Sequence, residues 1–198
     1  MITACRPIVA LLLATSVGSV AGAQSATGNV GSTAIVDLAL SGTAVRDLDF
    51  GQLTPASAQT VSPSDVPGCV PCASGKWIFS NLIGTGAPAT RFAQLTFTVL
   101  PSELIGPGGA TLPLAWTNAA RACLQKGAAE YHCYADWTPA QGMPQSHPVN
   151  GPGAPPTPAG SGSRSMNVYL GGTAQPPASQ RAGVYFGTVT LQFAYGSS

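Results

Sequence analysis

Charge is scarce in this sequence. Lys and Arg together number 8 and Asp and Glu 7 among 198 residues, for a formal net charge of +1. The cations stand singly along the chain, so no basic patch exists to release counterions from a phosphate backbone, and nucleic acid is excluded as a partner. Histidine is nearly absent too, with only His132 and His147 present. His132 points away from the Tyr131/Cys133 face and His147 lies between Ser146 and Pro148, so both are expected at the surface. No Gly-x-Ser-x-Gly elbow supports a nucleophile, and a base on a mobile loop would be poorly held for proton transfer. These shortages point away from an enzyme, and the chain calls for no cofactor.

Long apolar runs are also missing, with one exception. Arg6 precedes an apolar stretch from Ile8 to Val20, and Ala21-Gly22-Ala23 follows as a small-residue cleavage site. That three-part order is a secretory signal peptide over residues 1–23. The stretch is too short and too rich in Ala, Ser and Gly for a good bilayer span, and no second run follows it. A soluble, exported protein is expected, located in the periplasm or at the cell surface and beyond. Cys5 falls within the removed segment. No cysteine closely follows the cleavage site, so a lipid anchor is not expected. Residues 24–198 suffice for a single domain with a real core.

Four cysteines remain in that domain: Cys69, Cys72, Cys123 and Cys133. In an oxidising compartment an even number reads as disulfides, here two bridges with three possible connectivities. Proximity favours Cys69–Cys72 and Cys123–Cys133. Cys69-Val70-Pro71-Cys72 has the spacing of a thioredoxin-type motif, but its Pro/Gly/Ser flanks describe a loop rather than a helix N-terminus. A zinc site would recruit His132 beside Cys133, yet a second pair with ligand spacing is lacking. No metal site is expected.

What the chain does have is alternation. Residues 182–195 place Tyr185, Val189, Leu191, Phe193 and Tyr195 on one side, with Gly187 as a gap. Thr188, Thr190, Gln192 and Ala194 fall on the other. Successive side chains of a strand face opposite ways, so this is a strand with one face in a core. Shorter segments repeat the pattern over residues 33–41, 48–53, 59–63, 76–80, 93–100, 112–116, 130–137 and 166–170. Residues 118–130 alone tolerate a turn or two of helix, interrupted by Gly127. Residues 138–165, with seven prolines and five glycines, read as a long flexible loop that buries too little to offset its ordering. Eight or nine short strands and frequent turn signals indicate an all-β fold, an immunoglobulin-like antiparallel β-sandwich, with a closed barrel as the alternative.

The remaining clusters have modest readings. Asp47 and Asp49 share a face if extended, as paired carboxylates for calcium or glycoside chemistry would. With only Asp65 near them in sequence, a turn-stabilising role before Phe50 is expected instead. Trp77, Trp116 and Trp137 with Tyr131 and Tyr134 could stack on carbohydrate, but Trp116 and Trp137 continue buried alternations and read as core. Lys76, Arg91 and Arg121 read as solvated charges.

Three segments together resemble a known family. These are Leu48-Asp49-Phe50-Gly51-Gln52-Leu53-Thr54-Pro55, Pro88-Ala89-Thr90-Arg91-Phe92 leading into Leu95 to Val99, and the ending Ala182-Gly183-Val184-Tyr185-Phe186-Gly187-Thr188-Val189-Thr190-Leu191 to Tyr195. They resemble a bacterial exported domain family of unknown function. The ending is also similar to spore coat protein U domains and archaic chaperone–usher pilins. The resemblance implies an exported sandwich used in surface fibres or as a surface structural protein. Its partners would be itself or other surface subunits, joined by strand addition. Against donation by this chain, residues 24–34 offer Ala26, Gly28, Val30, Ser32 and Ala34 at alternate positions, of which only Val30 is large, where a donor strand needs several anchors. The terminal strand is therefore expected as an inner strand sealing its own sandwich. The resulting expectation is a non-enzymatic cell-surface structural or fimbria-related protein. The alternative is a secreted module that binds a glycan or a host protein.

Overall fold

A computed structural model describes residues 26–36, 41–80, 82, 91–150 and 164–196. Residues 1–23, expected to be a signal peptide, lie outside the described residues. Fourteen strands occur among the described ones: β1 (Ala26–Val36), β2 (Ser41–Arg46), β3 (Leu48–Leu53), β4 (Gln59–Val61), β5 (Gly75–Ser80), β6 (Arg91–Val99), β7 (Glu103–Ile105), β8 (Thr111–Ala115), β9 (Ala120–Lys126), β10 (Ala129–Cys133), β11 (Pro144–Asn150), β12 (Arg164–Leu170), β13 (Gly172–Ala174) and β14 (Gly183–Gly196). A single 3-10 turn at Pro107–Gly109 marks the Gly/Pro cluster between β7 and β8. Among the described residues no helix is long and apolar enough to cross a membrane.

The strands form two sheets. The larger runs β11-β6-β14-β7-β8-β13-β4, with β1 on the other side of β14 and β3 beyond β1; the smaller runs β10-β9-β12-β5-β2. Separation into two sheets makes the all-β fold a sandwich. The core lies between them, and its inter-sheet contacts are aromatic. Phe79 of β5 stacks on Phe193 of β14 with ring centroids 4.7 Å apart, and Trp77 meets Phe97 of β6 edge-on at 6.2 Å. Such pairs contribute roughly 0.5–1.5 kcal/mol each beyond the apolar area they bury.

The terminal strand follows its alternation. Tyr185, Val189, Leu191 and Phe193 are all fully buried. The Tyr195 side chain lies outside the described part of the structure. Gly187 shares the inward parity, and its missing side chain has a steric cause: a Cβ there would stand 2.9 Å from Leu104 Cδ2 and 3.4 Å from Pro101 Cγ. The strand is internal, flanked by β1 on one side and by β6 and β7 on the other.

Two expectations fail in the second half of the chain. Residues 118–130 contain no helix. Ala120 to Lys126 is β9, which turns at Gly127 (φ +61°) into β10. Ala120, Ala122 and Leu124 are buried on one face, a period of two that the helix-tolerant Ala content concealed. Residues 138–165 are not one long loop either. Pro144–Asn150 pairs antiparallel with β6 from Pro144 opposite Thr96 to Asn150 opposite Arg91. Proline is compatible with this position because β11 is the edge of its sheet, where one row of backbone groups needs no partner. Residues 151–163 lie outside the described part.

Candidate functional site

Three places gather side chains or backbone in ways that bear on function. The first is the seam where β1 enters the larger sheet. It runs parallel to β14 over its whole length, from Ala26 beside Gly183 to Val36 beside Phe193, and antiparallel to β3 from Ala26 opposite Leu53 to Val30 opposite Leu48. The register sets Val30 beside Gly187, and Val30 is fully buried. Val30 thus occupies the row where β14 carries no side chain. On the β3 side, the register shifts so that Phe50 is an extra residue between Asp49 and Gly51. Asp49 Oδ1 accepts the Gly51 N–H at 2.8 Å, the turn-stabilising role expected of it. Gly51 has φ +68°, and a Cβ there would lie 2.5 Å from Pro71 O. Only glycine meets both conditions.

The second place is the outward face of the smaller sheet. Asn167 and Tyr169 alternate away from the core-facing Met166, Val168 and Leu170, yet both are only 1 % exposed. The segment between β4 and β5 and the hairpin strand β10 cover them. Tyr169 Oη stands 2.8 Å from Asp65 Oδ2 and also hydrogen-bonds Glu130 Oε1. A phenol has one proton, so the two carboxylates compete for it. Lys76 Nζ supplies Asp65 at 2.9 Å, and Asn167 Nδ2 donates to Glu130 Oε1 at 2.5 Å. Burial raises the Tyr169 pKa, and both carboxylates raise it further. At Asp65 burial works upward, but hydrogen bonds from Lys76 and Tyr169 and the charges of Lys76 and Arg46 hold the carboxyl below its ordinary value. Lys76 and Arg121 are therefore not the solvated charges expected: Arg121 makes a two-pronged pair with Asp136 at 2.5 and 2.9 Å. That hydrogen bonding, against the effect of burial, raises the Arg121 pKa. Arg91's side chain lies outside the described part.

The cysteines join as Cys69–Cys72 and Cys123–Cys133. The first closes the tip of the β4–β5 segment; the second is a cross-strand pair of the β9–β10 hairpin. Glu130, Cys123 and Cys133 gather ligand atoms within 4.8 Å of one another. With the two sulfurs joined, no thiolate is left there for a metal.

The third place is a corner between the layers. His147 was expected at the surface of a loop, but it sits inward on β11 and is 5 % exposed. Its ring packs 4.5 Å from Tyr134 and 4.9 Å from Trp137, and His132, half-buried rather than exposed, meets Tyr134 edge-on at 4.7 Å. Burial depresses the His147 pKa from 6.5 to about 4. Tyr134 donates to Pro148 O, and burial with the neighbouring Tyr131 pushes its pKa up to about 12. Trp137 extends the β9 edge through a two-way backbone bridge to Ala120, while Trp77 is fully buried and Trp116 donates from Nε1 to Pro101 O at 2.8 Å. Arg164 begins β12 with the parity of the core residues Met166 and Val168, and is 7 % exposed. Counting back two residues from Met166 would have placed Arg164 inside. The isolated serines around it gave no other sign.

Compared with known proteins, the chain matches no family model and no curated protein.

Proposed function

We propose that this protein is an exported, non-enzymatic structural protein of the bacterial cell surface, related in use to fimbrial subunits. The observation that supports it is the β1 seam. The slot between β3 and β14 is filled by the first five residues of a segment that runs parallel to β14 over Ala26–Val36 and buries Val30. A slot that pairs with its occupant through backbone hydrogen bonds accepts another strand of similar shape, because main-chain pairing supplies the affinity and side-chain pockets the selectivity. The domain is complete by itself, and the filling strand is the part exchanged when copies or other surface subunits join. The disulfides and the absence of a crossing helix among the described residues are compatible with export.

Size exclusion and negative-stain imaging test this on residues 24–198 alongside a variant lacking residues 24–36. A variant recovered folded only with a peptide of residues 24–36, together with strand-swapped oligomers or ordered fibres of the complete domain, supports the reading. A deletion variant that folds equally well alone, with a complete domain that stays monomeric and never takes up labelled peptide, refutes it. The alternative, a secreted binding module, draws on a different observation, the aromatic corner of Tyr134, Trp137 and His147.

A further inference from the structure

The larger sheet carries an apolar patch on its outward face. Val184 and Phe186 flank the buried Tyr185 on β14, so their side chains point away from the core, and they are 61 % and 63 % exposed. Phe186 is the residue of β14 that pairs with Ile105 of β7, itself 43 % exposed. Side chains directly opposite on one face of a sheet stand within reach of each other, so the three form one continuous patch. They lie in the body of the sheet and not at its rim, because β14 has β1 on one side and β7 on the other. Grouped apolar side chains on a surface otherwise rich in Thr and Gly mark a place where something docks.

The charges framing this patch complement one another. Glu103 stands two residues before Ile105 on β7, exposed and on the same outward side. At the other end β7 runs into the Pro107–Gly109 turn, where exposed Arg181 lies against Gly108: a Cβ on Gly108 would stand 2.7 Å from Arg181 Nη1. The ion pairs among the described residues belong to Arg46, Lys76 and Arg121 with Asp65 and Asp136, and involve neither Glu103 nor Arg181. An anion, an apolar middle and a cation thus follow one another along β7. A two-fold axis lying across the strands at the Phe186–Ile105 pair reverses the strand direction and stacks this face on its own copy. Phe186 and Ile105 then meet their counterparts, and Glu103 of each copy faces Arg181 of the other. Sheets stacked face to face keep their strands within about 30° of alignment, which this arrangement allows. A formal net charge of +1 opposes the approach of two copies only weakly.

We propose that the outward face of β7 and β14 is a self-association surface, on which a second copy of this chain packs face to face in an antiparallel dimer. The apolar centre supplies the affinity, and the two Glu103–Arg181 pairs set the orientation. The contact is made by side chains that point away from the core while β1 stays paired in its own sheet, so it does not depend on strand exchange. Three apolar residues a side make a small centre beside the roughly 20–30 residues a side of a standard interface. The dimer is therefore weak, with a Kd on the order of 10 µM.

Sedimentation velocity on residues 24–198, over concentrations spanning about 10 µM by a factor of roughly ten each way, tests the surface. A dimer that dissociates promptly on dilution is expected. Phe186→Ser changes an exposed side chain, so it should leave the urea midpoint in place while weakening the dimer at least tenfold. Glu103→Arg and Arg181→Glu each set like charges against one another and should each weaken it roughly tenfold. An equimolar mixture of these two variants restores both opposite-charge contacts in a mixed dimer, and should associate as tightly as the unaltered protein. Excess peptide of residues 24–36 should leave the dimer intact, whereas a dimer built by exchange of β1 would be competed away. The proposal is overturned by a protein that stays monomeric throughout, or by a dimer indifferent to Phe186→Ser. It is overturned equally by a mixture of the charge variants that associates no better than either alone, or by a dimer that the peptide dissolves.

Discussion

Acid should destabilise this protein in a window set by one histidine. His147 is held between Tyr134 and Trp137 with no hydrogen-bond partner for its Nε2 among the described residues, and burial lowers its pKa from 6.5 to about 4. The unfolded chain has no such constraint, so between these pH values it binds more protons than the folded one. Stability then falls as pH falls from about 6.5 to about 4, with a slope approaching ~1.4 kcal/mol per pH unit, and levels off below. The full loss is on the order of 3 kcal/mol, a sizeable fraction of an ordinary domain's stability. Asp65 has the opposite history: its folded pKa is depressed below 3.8, so the stability it contributes is present above that value and is lost as pH falls through its folded pKa. The two windows adjoin without coinciding. Urea denaturation at half-unit steps from pH 7.5 to 3.5, in buffers free of carboxylate, would measure the effect. His147→Leu should be less stable at neutral pH through lost ring contacts, yet nearly flat across the histidine window. Parallel pH slopes for the two proteins would refute the reasoning, whatever their absolute stabilities.

Other consequences can be checked on the same protein. Gly187→Val forces a side chain against Leu104 and Pro101 and should cost about 1–3 kcal/mol, read as a lower urea midpoint. Replacing Cys123 and Cys133 together by alanine releases the β9–β10 hairpin and should cost about 2–3 kcal/mol. Intact-mass analysis of the unaltered chain should show two protons lost for each of its two disulfides. Tyr169→Phe removes the proton contested by Asp65 and Glu130 and should cost about 1–2 kcal/mol, visible as a lower melting temperature above pH 5.

Wherever one face of a strand meets the core and the other meets water, the sequence displayed the strand directly, as in Leu95-Thr96-Phe97 and the run from Tyr185 to Phe193. The short strands escaped for a different reason. Glu103–Ile105 and Gly172–Ala174 are three residues long, too few for a period to declare itself, and their pairing is supplied by neighbours. Pro144–Asn150 has the composition of a loop and is a strand because β6 offers it an edge. The polar sites were harder still. Asp65, Glu130 and Tyr169 are far apart in sequence, and nothing local announces that a loop, a hairpin and a strand bring them together. His147 was misplaced for the same reason: its flanking prolines describe the backbone, whereas its burial comes from Tyr134 and Trp137. The cysteine pairs were legible because each bridge is short-range.

The parallel pairing of β1 with β14 also constrains how the protein reaches its native state. Ala26 leaves the ribosome well before Gly183, where the strand it lies beside begins. Until that distant segment arrives, β1 has only β3 to pair with, over its first five residues, and the inward side chains of β3 lack their cover. Closing so long a loop is slow, and a partly paired sheet edge in the meantime is open to neighbours. The same geometry that completes the finished sandwich thus leaves the nascent chain exposed until the end of its synthesis. Any assistance this protein needs from a chaperone is expected at that moment, at the waiting edges of β1 and β3.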